Sequence, residues 1–203
     1  MADPRFQRLK EEKRTRIIQG AIEEFARHGY ESASANRIVQ RAGISKGSLF
    51  TYFASKDDLY IYSADYVLKQ IIPLIEKRLA EMPADILRRL SLLAESIIDI
   101  YIKNPLYYKF FMGILDSSAF HLRQQLLKRN AELFNYIDLF RGIDDSRFRM
   151  DLESTLLLIK WLFTGIKQEL FSIQEVKSDP GKLRLEFLNR LKRVISLLEK
   201  GIY

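Results

Sequence analysis

The sequence predicts an all-α protein, on three observations. Apolar residues recur three and four apart in every long stretch, as in Ile17, Ala21 and Phe25, or Leu152, Leu156 and Ile159. Five prolines and nine glycines are spread thinly over 203 residues and leave long stretches unbroken. The breaks fall at helix-ending signals: Gly29, Gly43, Met82-Pro83, Asn104-Pro105 and Ser178-Asp179-Pro180-Gly181.

Composition sets the bounds. At 203 residues, with 47% hydrophobic and 29% charged content, the chain has enough length and apolar material to bury a real core, and it reads as a soluble globular protein. The net charge of +7 and a pI near 9.5 suit a polyanionic partner. The absence of cysteine excludes disulfides and thiolate metal sites and fits a cytoplasmic protein. Met-Ala-Asp-Pro is followed by mixed charges rather than the apolar core of a signal peptide. Apolar runs such as Leu156–Ile159 fall far short of the roughly 20 residues of a membrane span.

Taken in order, residues 1–10 are polar and basic: either an arm touching phosphates or a frayed terminus. A first helix runs from about Glu11 to His28, with Ile17, Ala21 and Phe25 inward and Gly29 as its stop. Ser34–Phe53 then reads as a short helix, a tight turn and a second short helix. Ala35, Ile38, Val39 and Ala42 share a face of the first. Gly43 ends it where the chain needs positive φ, and Ser45 stands at the next N-cap. Leu49 and Phe53 give the second helix a narrow inward face. No acid occurs from Ser32 to Lys56, whereas Arg37, Arg41, Lys46 and Lys56 do. A helix pair with a small turn and an acid-free basic surface is a helix-turn-helix arrangement suited to DNA.

Ser55 caps a fourth helix with Asp57 and Asp58 in its first turn, continuing through Tyr60–Leu79. Pro73 either bends this helix or ends one helix and begins another. Ala84–Lys103 follows, with Ile86, Leu90, Leu93, Ile97, Ile100 and Tyr101 inward. Pro105–Leu115 is short and crowded with aromatics. Asp116-Ser117-Ser118 caps a helix to Phe140, and Arg141–Arg149 is a loop. Asp151–Ile173 is the most apolar helix and is covered on several sides. Pro180 starts the last helix, whose stripe is Leu185, Leu188, Leu191, Ile195 and Leu198.

The run from Ile17 to Tyr60 resembles the DNA-binding domain of the TetR family of bacterial transcriptional regulators. The matching residues are Ala21 and Phe25, Gly29-Tyr30, Ile38, Ala42-Gly43, Ser45-Lys46-Gly47-Ser48-Leu49-Phe50, Tyr52-Phe53 and Ser55-Lys56. Ala33 and Val39 depart from the family's usual Thr and Ala. The resemblance implies residues 1–56 as the DNA-binding domain, with its motif at 34–53, and residues 57–203 as a helical bundle for effector binding and dimerisation.

Carried over position by position, the resemblance implies DNA contacts at Ser34, Ser45, Lys46, Gly47, Ser48, Phe50, Thr51, Tyr52 and Lys56. Hydroxyls and free helix amides suit phosphate, Gly47 admits close backbone approach, and Phe50 suits a thymine methyl. Asn36 is a base-reading candidate, because an amide pairs bidentately with adenine. Arg37 belongs to the same set, or is an ordinary solvated charge. The resemblance also implies an effector pocket among the aromatics, with Tyr101, Tyr107, Tyr108, Phe111, His121, Phe134, Trp161 and Phe163 as candidates. Simple core packing accounts for the same residues. The last two helices resemble the family's dimerisation element, with Trp161, Leu162, Leu188, Leu191 and Ile195 as candidates.

No nucleophile elbow, phosphate-cradling glycine loop or metal-ligand cluster is present, and adjacent acid pairs such as Glu23-Glu24 diverge around a helix. The expectation is therefore a cytoplasmic, non-enzymatic, cofactor-free homodimeric regulator. It binds a palindromic double-stranded DNA operator as a repressor and is released by a small lipophilic or aromatic effector, with no membrane partner. The alternatives are a helical small-molecule-binding protein and a regulator acting without a small-molecule effector.

Overall fold

The computed structural model describes residues 2–79, 83–116, 120–130, 142–146, 148–172 and 179–202. Among them the chain is helical with no strand: α1 Pro4–Gln7, α2 Glu11–Ser32, α3 Ala35–Ala42, α4 Lys46–Tyr52, α5 Lys56–Leu79, α6 Ile86–Lys103, α7 Pro105–Asp116, α8 Phe120–Arg129, α9 Leu152–Ser172 and α10 Pro180–Ile202. No described helix is long and apolar enough to cross a membrane. The described residues of Met1–Leu74 and Lys103–Tyr136 form one compact unit, and those of Ile75–Ile102 and Ile137–Tyr203 another.

In the first unit, α2 is interrupted where the sequence expects its end. Gly29 has φ 69°, a left-handed value that an L side chain resists, and the last residues turn away from the helix axis. Ile17, Ala21, Ile22 and Phe25 are buried and meet the inward face of α3, where Ile38 and Ala42 are buried and Ala35 and Val39 half-buried. Gly43, at φ 64°, turns the chain into α4. Phe110 of α7 completes this core: its ring stacks on Phe25 at 5.8 Å and meets Tyr60 edge-on at 5.2 Å.

Residues 2–10 are neither a loose arm nor a frayed end. Pro4–Gln7 forms a helical turn whose Phe6 is fully buried, with its ring 4.9 Å from Phe53 and 5.4 Å from Tyr62. A single apolar residue in a basic run carries little periodic signal, so the sequence conceals this anchor. Helix α5 continues through Pro73, whose ring is exposed on the solvent side. The helix thus loses one backbone hydrogen bond without ending.

In the second unit, α6 begins at Ile86, two residues later than Ala84. Asp85 caps it, accepting the Arg88 amide at 2.8 Å. Ile98 rather than Ile97 is fully buried. It packs with Ala94 against Leu183, Phe187 and Leu191 of α10. A second cluster joins Ile86, Leu87 and Leu90 to Ile159 of α9. The buried stripe of α10 is therefore Leu183, Phe187 and Leu191, four apart. Leu185 falls on the opposite side and is 62% exposed.

Candidate nucleic-acid interface

The interface is built on α3 and α4. Ser45 holds the start of α4: its hydroxyl accepts the Ser48 amide at 3.0 Å and lies 2.8 Å from the Ser48 hydroxyl. Leu49 and Phe53 are buried, which fixes the roll of α4 and turns Lys46, Gly47, Phe50 and Thr51 outward. The Thr51 hydroxyl donates to the Gly47 carbonyl at 3.0 Å. Tyr52 and Ser48 are half-exposed, and Asn36 on α3 is exposed. The Ser45, Lys46, Gly47, Ser48, Phe50, Thr51 and Tyr52 positions thus share one short helix and its cap. Ser34 precedes α3, where its side chain caps nothing.

The orientation of α3 depends on a residue that sequence reasoning passed over. Glu24, on α2, is completely buried. Its carboxylate accepts the Arg37 Nε at 2.7 Å, the Arg41 Nη1 at 2.6 Å and the Ser34 amide at 2.9 Å. Burial alone would raise its pKa. The guanidiniums and the amide outweigh that and hold the carboxyl down to about 2, from an ordinary 4.5. One acid on α2 thereby satisfies the first free amide of α3 and pins two cations of the same helix. The only signal in the sequence is a glutamate on the apolar side of its helix, one residue before Phe25.

This network changes the charge of the face. Arg37 also donates to the Ser32 carbonyl at 2.8 Å, so it braces the domain rather than standing as a solvated charge. Lys56, expected at a phosphate, is committed inside the chain. Its ammonium donates to the Glu31 and Ala33 carbonyls at 3.1 and 3.2 Å and sits 4.5 Å over the Tyr30 ring. The Tyr30 hydroxyl in turn donates to Asp57. Burial, then the Asp57 carboxylate, raise the Tyr30 pKa. Of the four cations between Ser32 and Lys56, Lys46 alone lacks a partner among the described residues.

The described residues of the expected pocket divide between the two units. Tyr108 is buried in the first unit, and the Tyr107 hydroxyl takes a 2.6 Å hydrogen bond from Gln19 of α2. Phe111 is half-buried. His121 is exposed and faces Asp57 at 3.4 Å, so it does not line an enclosed space. Tyr101 is half-buried against the α6–α10 cluster of the second unit. Trp161, 64% exposed there, is not enclosed in the single chain. Phe134 and the side chain of Phe163 lie outside the described residues. A groove of about 420 Å³ in the first unit is lined by Gln7, Asp58, Tyr62, Asp65, Tyr66 and Arg129 among others, and none of the expected residues that the structure describes borders it.

The expected interface residues divide similarly. Leu162, Leu188 and Ile195 are half-buried, whereas Leu191 is spent in the chain's own core. Among the described residues, the exposed large apolar side chains of α9 and α10 are Leu152, Leu157, Trp161, Leu185 and Leu197. Among the described residues no cluster of metal ligands occurs.

Residues 17–62 match the family described as bacterial regulatory proteins, tetR family. An uncharacterised HTH-type transcriptional regulator of Mycobacterium tuberculosis is 38% identical over 79 residues, which are 39% of this chain and 40% of that one. The match thus spans about two fifths of that relative's length. A TetR family transcriptional regulator from Chloroflexus aurantiacus J-10-FL superposes with a TM-score of 0.65 at 25% identity, covering 100% of this chain and 98% of that one. The transcriptional regulator FadR from Bacillus subtilis, solved in complex with stearoyl-CoA, superposes with a TM-score of 0.57 at 20% identity, over 87% of this chain and 96% of that one, a likeness of fold.

Proposed function

This chain belongs to the TetR family of bacterial regulatory proteins by its residues 17–62, and from that premise we propose that it is a homodimeric repressor of a palindromic operator, released by a small lipophilic effector. DNA binding and transcriptional regulation come with the family; the dimer, the operator symmetry, the sign of regulation and the effector are our reading. The observation that carries it is the outward face of α4. Lys46, Gly47, Phe50 and Thr51 are turned to solvent while Leu49 and Phe53 fix the helix from within. We assign that helix to the major groove and assign Ser34, Asn36, Ser45, Ser48 and Tyr52 to base edges and phosphates around it. The functional division runs at 56/57, with reading before it and sensing and dimerisation after it.

Dimerisation is proposed through α9 and α10. Trp161, Leu157, Leu185 and Leu197 are too many large exposed apolar side chains for a pair of helices with no partner. Two recognition helices carried about 34–36 Å apart would fit successive major grooves. A dimer seated there excludes other proteins from the same DNA, which is repression without further machinery. An effector releases it only by binding the DNA-incompetent arrangement more tightly. An acyl thioester is the first class to try, because the Bacillus subtilis FadR of similar fold was solved with stearoyl-CoA. Nothing in this reading calls for catalysis, a cofactor or a membrane, and it puts the protein in the cytoplasm with the DNA.

The test is a shift assay on the DNA flanking the protein's own gene, run across a salt series. Binding whose logarithmic affinity falls with logarithmic salt supports the reading; a flat dependence, or no binding, overturns it. A thermal-shift screen of acyl thioesters, fatty acids and lipophilic aromatics then tests the effector, since a true ligand raises apparent stability by mass action. No shift from any of these classes would overturn the lipophilic assignment.

A further inference from the structure

We propose that α1 is a built part of the DNA-binding face, with Arg8 and Arg5 taking a backbone phosphate beside Tyr52 at the far end of the recognition helix. The inference rests on the DNA-binding reading above and adds residues to it.

Four contacts fix α1 at that place. The Asp3 amide donates to the Tyr52 carbonyl at 2.8 Å, which satisfies a free carbonyl at the end of α4. Phe6 is fully buried, with its ring 5.7 Å from that of Tyr52. The Gln7 amide donates to the Tyr62 hydroxyl at 3.1 Å, and Arg14 of α2 donates to the Gln7 carbonyl at 2.8 Å. The segment is therefore held against α4 rather than tethered near it. Little ordering entropy remains to oppose a contact made from it.

Its charge is the second observation. Residues 3–10 carry Arg5, Arg8 and Lys10 against the single acid Asp3. Asp3 is occupied by Arg5, through Nε at 2.9 Å and Nη2 at 3.0 Å. The Arg5 Nη1 has no partner among the described residues, and the Arg5 side chain stays 63% exposed. Arg5 also lies close enough to the Tyr52 phenol for the two to interact electrostatically. Arg8 closes α1 at its C-cap, is exposed, and feels the Asp3 charge from nearby. Arg5 thus stands near the recognition-helix residue already assigned to a phosphate, and Arg8 is exposed at the end of the same anchored turn. Guanidinium is the group whose planar fork matches phosphate oxygens.

The third observation is the shortage of cations elsewhere. Glu24 holds Arg37 and Arg41, and backbone carbonyls hold Lys56, so the motif itself offers Lys46. One lysine per protomer is a thin electrostatic grip for duplex DNA, where affinity grows with each phosphate neutralised. An apolar plug would need only Phe6; it would not need arginines on either side of it.

The experiment compares full-length variants on the flanking DNA across the same salt series. Arg8→Gln should weaken binding roughly fivefold or more near 0.1 M salt and reduce the log–log salt slope by about 0.9 per protomer. Phe6→Ala, which releases α1, should lose as much while circular dichroism shows the helices retained. Lys109→Gln, at an exposed position on α7, controls for net charge and should change neither quantity. Unchanged affinity and slope in Arg8→Gln overturns the proposal, as does an equal loss in Lys109→Gln. If Lys46→Gln weakens binding and Arg8→Gln does not, DNA binding stands and the role of α1 falls. If the parent chain shows no salt-dependent binding at all, both fall.

Discussion

The Glu24 carboxylate on α2 receives the Arg41 Nη1 of α3 at 2.6 Å from a position with no exposure to solvent. Arg37 and the Ser34 amide complete its shell. Taking a carboxylate out of water is costly, and here two partly exposed guanidiniums and a helix amide offset that cost. The Ser34 amide ties the N-terminus of α3 to this carboxylate and Arg41 ties its last turn, and together they set the angle at which α4 is presented.

Glu24→Gln should therefore destabilise the chain by about 1.5–3 kcal/mol, since it removes the charge from the buried acceptor of hydrogen bonds from two partly exposed guanidiniums. The effect should depend on pH. The native pKa, about 2, lies below the ordinary 4.5, so the contribution is fully present above about 4.5 and disappears as pH falls toward 2. Urea melts of parent and variant at pH 7 and pH 3 should show the gap between them narrowing at the lower pH. A gap of constant size would mean that the Glu24 charge contributes nothing.

Gly43→Ala tests the turn between α3 and α4. Nothing lies within 4 Å of where a Cβ would stand, so packing is not at issue. The backbone at φ 64° is, and an L residue there costs about 1–2 kcal/mol. Gly47, at an ordinary φ, has only the Ser45 hydroxyl within reach of a new Cβ, at 3.9 Å. Gly47→Ala should leave the melting temperature nearly unchanged and, in the proposed docking of α4, weaken DNA binding by placing a methyl between the backbone and the groove. Equal melting losses in the two variants would rule out the conformational account of Gly43.

Lys46→Ala separates reading from folding. The side chain is exposed and partnerless among the described residues, so stability should hold within about 0.5 kcal/mol. Affinity for the flanking DNA should fall, and the salt slope should flatten by about one per protomer. Lys56→Ala should behave the other way, losing stability first. Its ammonium ties the end of α2 to the start of α5 through the Glu31 and Ala33 carbonyls. The comparison is read from paired melting and binding curves.

That contrast marks the limit of what the chain shows as a string of letters. The motif was legible because its signals are local: Gly43, the Ser45 cap, and the Leu49 and Phe53 spacing each act within a turn or two. The roles of Arg37 and Lys56 were not, because their partners lie 13 and 25 positions away and only folding brings them together. Phe6 was missed for the same reason, since its partners are Phe53 and Tyr62. On α10 a continuous apolar pattern admitted several stripes. The choice of Leu183 and Phe187 over Leu185 was made by Ala94 and Ile98 on α6, where small and branched side chains leave room for a phenyl ring.

The same α10 register yields a pair of opposed outcomes. Leu191 is 4% exposed and packs with Ile98 and Phe187, so Leu191→Ala should cost about 2–5 kcal/mol and act on the fold of each protomer. Leu185 and Leu197 point outward, and Trp161 on α9 does too. Trp161→Glu and Leu185→Glu replace side chains that are mostly exposed in the single chain; in a dimer built on α9 and α10 they place unpaired charge in an apolar seam. Analytical ultracentrifugation should then find the parent as a dimer and the double variant as a folded monomer with helical content intact. A folded dimer in the double variant would move the proposed interface off these two helices. Because a monomer presents one half-site reader instead of two, the same variant should bind a full operator no more tightly than a half-site.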